Sequence, residues 1–108
     1  MRIARFYSLV VLILLFSCSP EKKMQKKFKL GKYQTVINYY QDVLQKQPSN
    51  GKANYFVAES YRLSNRIKQA EHFYEKAGGA SIDKDSVRLY YSQALRANGK
   101  YEEARKQL

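Results

Sequence analysis

The stretch Ala58-Glu59-Ser60-Tyr61-Arg62-Leu63-Ser64-Asn65-Arg66-Ile67-Lys68-Gln69-Ala70 decides the fold, because most of its marked positions recur one fixed step away in both directions. A step of 34 residues forward from Ala58, Tyr61, Asn65, Ile67 and Ala70 lands on Ser92, Leu95, Gly99, Tyr101 and Ala104, and from Tyr74 on Leu108. The same step backward lands on Met24, Lys27, Gly31, Tyr33 and Val36, and from Tyr74 and Ala77 on Tyr40 and Val43. Small, aromatic and turn-forming residues thus return in register, which is the mark of a repeat architecture.

The residue types explain what each unit does. Ala58, Ser92, Ala70 and Ala104 are small enough to let two helix backbones approach, as ridge-into-groove packing of helices requires. Gly31 and Gly99 fall where a helix must stop and reverse, a left-handed position that suits glycine; Asn65 is the usual substitute there. Tyr33, Ile67 and Tyr101 then open the second helix of each pair and are expected to pack back over the turn. Val36, Ile37, Tyr40, Val43 and Leu44 share one helical face, and so do Phe73, Tyr74 and Ala77. Asp85 or Ser86 is the expected N-cap of the third unit. The pattern predicts an all-α chain with helices near residues 21–30, 33–46, 52–64, 67–77, 86–97 and 101–108, and no strand.

These phrases, together with Ala94-Leu95-Arg96-Ala97-Asn98-Gly99-Lys100-Tyr101-Glu102-Glu103-Ala104, resemble the tetratricopeptide repeat, a 34-residue helix-turn-helix unit. Pro48 matches the proline between its repeats. The resemblance covers residues 24–108 as about two and a half repeats, with units near 17–50, 51–84 and 85–108, the last incomplete. It departs from the family at Lys27, where a large apolar residue is usual, at Val36, and at the Gly78-Gly79 connection. It implies a right-handed superhelical solenoid that binds a protein or peptide in its concave groove and has no catalytic residue. Carried over position by position, the groove residues are Phe28 in the first unit, Lys52, Tyr55, Glu59 and Arg62 in the second, and Leu89, Gln93 and Arg96 in the third, with Gln25 and Ser86 beside them. Arg62 and Arg96, one period apart, are expected to stack and grip a carboxylate in bidentate fashion. Since about three repeats are usually needed for stability, residues 18–108 alone are expected to be marginal or self-associating. The third unit stops part-way through its second helix, which suggests a fragment or the N-terminal module of something longer.

Before the repeats, Arg2 and Arg5 precede an apolar run from Phe6 to Phe16 that only Ser8 interrupts. Eleven residues are too few to cross a bilayer, which takes about 20, and they match the core of a secretory signal. Leu15-Phe16-Ser17-Cys18-Ser19 resembles the lipobox of bacterial lipoprotein precursors, although Phe16 is bulky for its place. The resemblance implies a signal peptide over residues 1–17, acylation (palmitate among the chains) of Cys18, the only cysteine, and a tether over 18–23. Ser19 in place of an aspartate favours the outer membrane, facing the periplasm.

The chain carries 20 Lys and Arg against 9 Asp and Glu, net +11. Loss of residues 1–17 would remove Arg2 and Arg5 and leave +9. Such a balance suits nucleic acid, anionic lipid or an acidic protein surface, and export argues against nucleic acid. A cluster of Lys22, Lys23, Lys26, Lys27 and Lys29 follows the expected anchor, and Lys32, Arg66 and Lys100 place one cation in each turn. His72 is the lone histidine, so no zinc set is available; no metal, cofactor or small-molecule substrate is expected. The whole points to a membrane-anchored interaction scaffold with envelope protein partners. The stretch from Tyr90 to Ala104 is also similar to the N-terminal repeats of OmpA-type envelope lipoproteins linked to secretion and gliding. The alternative is a repeat module whose catalytic or peptidoglycan-binding domain lies beyond residue 108.

Overall fold

A computed structural model describes residues 20–78 and 84–108. The expected signal peptide and Cys18 lie outside the described residues, as does the segment 79–83. The described chain forms helices α1 (Pro20–Lys29), α2 (Tyr33–Lys46), α3 (Gly51–Leu63), α4 (Ile67–Ala77), α5 (Lys84–Ala97) and α6 (Tyr101–Lys106). Among the described residues there is no strand, and no helix is long and apolar enough to cross a membrane.

The three turns within pairs are copies of one another. Gly31, Asn65 and Gly99 have φ of 77°, 61° and 78°. In each, the following amide reaches five residues back: Lys32 N to Lys27 O at 3.0 Å, Arg66 N to Tyr61 O at 2.8 Å, and Lys100 N to Leu95 O at 2.8 Å. A second bond, from Gly31, Asn65 and Gly99 to the carbonyls of Phe28, Arg62 and Arg96, completes a Schellman closure. Asn65 accepts the left-handed conformation at a modest cost that a β-branched residue would exceed.

The link between the first two pairs is built differently. Asn50 caps α3, its side chain accepting from Ala53 N at 3.0 Å, while the buried Asn54 amide donates to Pro48 O and Asn50 O. These bonds hold the bend around Pro48 that sets α3 against α2. Helix α5 runs from Lys84, so Asp85 and Ser86 sit inside its first turn and not at the cap.

Burial follows the period. Met24, Val36, Ile37, Tyr40, Ala53 and Val57 form one apolar cluster; Ala58, Ala70, Tyr74, Val87 and Ala94 form the next. Tyr61 and Phe73 pack against both, their rings stacked at 5.7 Å. Contacts also skip a helix, since Phe28 of α1 meets Phe56 of α3 edge-on at 5.4 Å. The pairs are therefore stacked in series as a helical repeat. Burial raises the Tyr40 phenol to about 12, helped by the nearby charges of Glu21 and Tyr39.

Tyr101, expected to pack over its turn, is open, and so is Leu108, one period after Tyr74. Tyr101 is 67 % exposed and Leu108 76 % exposed. Tyr33, one period before Ile67, packs edge-on against Phe28 at 5.7 Å, and Tyr40 and Tyr74 are covered by the helix pair that follows them. Among the described residues no helix packs over Tyr101 or Leu108.

Candidate partner-binding face

The residues expected to line the groove divide into two groups. In the first two pairs they are engaged within the chain. Phe28 is half-buried between Tyr33 and Phe56. Lys52 meets Glu21 at 3.3 Å, and Tyr55 packs edge-on against Phe56 at 5.5 Å.

Glu59 and Arg62 correct the sequence expectation. Glu59 is only 5 % exposed, too little for a ligand contact. Its carboxylate receives Arg62 through both oxygens, Nε to Oε1 at 3.1 Å and NH2 to Oε2 at 2.7 Å. Tyr74 OH donates to the same Oε1 at 2.5 Å and accepts from Arg62 Nε at 3.2 Å. The guanidinium carbon lies 3.7 Å from the centre of the Tyr90 ring on α5. One cluster thus joins α3, α4 and α5.

The charges in this cluster are fixed by their neighbours. The hydrogen bond from Glu59 pushes the Arg62 guanidinium still further into its protonated form, against a smaller opposing effect of burial. Burial first, then the bond to Glu59, pushes the Tyr74 phenol far above its ordinary value. The carboxylate accepts three donated hydrogens, two of them from the Arg62 cation, as a buried charge requires. With Arg62 engaged in this way, it forms no open carboxylate grip with Arg96.

In the third pair the expected groove residues are open. Leu89 is 44 % exposed, and Gln93 and Arg96 are exposed. Gln93, Arg96, Ala97 and Tyr101 surround an open recess of about 310 Å³. The recess offers an amide, a guanidinium and a phenol around Ala97, which suits hydrogen bonding to a peptide backbone or side chain.

The turn cations have a role that sequence inspection missed. Lys100 Nζ reaches back to Glu71 Oε2 on α4 at 2.7 Å, and Asn98 joins it with bonds to Glu71 Oε1 and Lys68 O. Arg66 NH1 reaches Gln34 Oε1 on α2 at 2.9 Å in the same way, while its guanidinium lies over the Tyr61 ring. Each of these turns is tied to the second helix of the pair before it. The 34-residue spacing of Lys32, Arg66 and Lys100 was the available signal, but the side-chain acceptors Gln34 and Glu71 do not lie one period apart.

Among the described residues no group of His, Cys, Asp or Glu is placed to hold a metal ion; His72 is exposed beside Phe73. No curated protein matches the chain. A family model described as "Anaphase-promoting complex, cyclosome, subunit 3" matches residues 28–108. The matched span begins within α1 and takes in the five helices after it. With its stacked pairs and three equivalent turns, the chain belongs to this tetratricopeptide-like family of helical repeats.

Proposed function

We propose that this protein is a membrane-anchored interaction scaffold of the bacterial cell envelope. In this reading residues 1–17 direct export, acylated Cys18 holds the chain on the outer membrane facing the periplasm, and the repeats present a protein-binding face. The observation that carries it is the join of two features: an apolar signal-like run ending at Cys18, and a helical-repeat module starting at Pro20. The repeat family supports protein binding in general, and the Cys18 context supports the anchor. Several acyl chains hold a protein firmly where one holds only marginally.

The partner contact is assigned to Gln93, Arg96 and Tyr101 around the recess of the last pair, together with exposed Leu89 one helical turn before Gln93. Phe28, Lys52 and Tyr55 contribute at most their outer edges. The partner is an envelope protein or peptide with groups that accept from the Arg96 guanidinium.

Metabolic labelling with palmitate in a bacterial host tests the anchor. The wild-type chain is expected to carry the label, and Cys18→Ala to lose it completely. A wild-type product without label would remove lipidation from the account.

A further inference from the structure

The cationic helix α1 has a face that no part of the repeat stack uses. Lys22, Lys23, Lys26 and Lys29 are exposed, and so is Leu30 at 64 %. At about 100° per residue they fall within one arc of about 120°. Met24 and Phe28 lie on the opposite side, Met24 buried in the first apolar cluster and Phe28 packed against it. Glu21, the one acid of the helix, lies outside the arc and pairs with Lys52. The arc therefore holds four cations and one exposed leucine, with no acid among them.

We propose that this face is an electrostatic docking surface for an anionic lipid leaflet, which sets the repeat stack at a fixed angle on its membrane. The inference rests on the tethered reading above. Helix α1 begins two residues after Cys18, so only Ser19 separates an acyl anchor there from the helix. All four lysines then lie within roughly 20 Å of the anchor along the helix, at about 1.5 Å per residue. Cations this close to an anionic surface each add on the order of fivefold to its attraction. Leu30 at the end of the arc supplies an apolar contact of the kind that places interfacial helices at the headgroup boundary. Because Met24 and Phe28 fix the opposite side of α1 to the stack, the leaflet that binds the lysines also orients α2 to α6.

Amine acylation of the lipidated protein in vesicles tests this, with mass spectrometry reporting each lysine. When phosphatidylglycerol is added to phosphatidylcholine, labelling of Lys22, Lys23, Lys26 and Lys29 is expected to fall on the order of tenfold relative to exposed Lys68 and Lys76. About 1 M salt, where the Debye length is about 3 Å, should restore it. Unchanged labelling on vesicle-bound protein would overturn the proposal. Protein that washes off both vesicle types would remove the Cys18 tether, and a second measurement then judges the face alone. The chain from residue 18 with Cys18→Ser should favour anionic over neutral vesicles. The further changes K22Q, K23Q, K26Q and K29Q, all outside the packed residues, should abolish that preference without altering its circular dichroism. Equal binding to both vesicles, or a preference for duplex DNA over anionic vesicles, would sink the lipid assignment.

Discussion

Arg62→Met should destabilise the protein by about 3 kcal/mol, the lower end of the range for breaking a buried ion pair. The lower end applies because the Arg62 side chain keeps 21 % of its exposure, against 7 % for Glu59. The substitution leaves the Glu59 carboxylate enclosed, with Tyr74 OH as its remaining side-chain donor, and it removes the cation from the Tyr90 ring. Glu59→Leu combined with Arg62→Met should cost less than Arg62→Met alone, since an apolar pair of similar volume leaves no stranded charge. Urea unfolding checks both, as a fall in midpoint at constant slope. A double variant less stable than the single one would show that the pair itself, and not the stranded carboxylate, carries the energy.

Ala70→Leu should cost about 3 kcal/mol, whereas Ala104→Leu, at the equivalent place in the last pair, should cost about 1 kcal/mol. Ala70 is wholly buried in a cluster with Ala58, Tyr74, Val87 and Ala94. It is enclosed by α3 on one side and by the next pair on the other, so extra methylenes must push apart two interfaces. Ala104 is also buried, at 2 % exposure, but α6 is six residues long and packs mainly against α5, so it can shift to make room. Thermal unfolding of the two variants separates them. Equal losses would mean that the last pair is held as tightly as the middle one.

Much of this was legible from residue spacing. Gly31, Asn65 and Gly99 were expected to reverse the chain, and all three adopt the left-handed conformation. Val36, Ile37, Tyr40, Tyr74 and Ala77 were expected inside and are buried. These residues are legible because each acts within its own pair, where a period of 34 repeats the same surroundings.

What failed depends on neighbours that spacing does not specify. One period from Glu59 lie Gln25 and Gln93, and one period from Arg62 lie Phe28 and Arg96. The ion pair therefore belongs to the second unit alone. An acid and a base three apart on a helix look like solvated charges until Tyr74 and Tyr90 arrive from α4 and α5 to enclose them. Tyr101 failed for a different reason: its counterpart Tyr33 packs on the Phe28 ring, and two periods on from Phe28 stands Arg96. The groove was drawn as though every unit were alike. The structure instead fills it with ring contacts in the first pair and with an enclosed charge cluster in the second, leaving it open in the third.

The central claim is that successive helix pairs stack so that the first helix of one pair lies against the first helix of the next. Nuclear Overhauser contacts between side chains test it most directly. The account predicts signals from Phe28 to Phe56 and from the Arg62 side chain to the Tyr90 ring, alongside the contact of Tyr61 with Phe73 within one pair. A spectrum with the Tyr61–Phe73 contact but neither of the other two would contradict it, because the first helices of successive pairs would then not lie against one another.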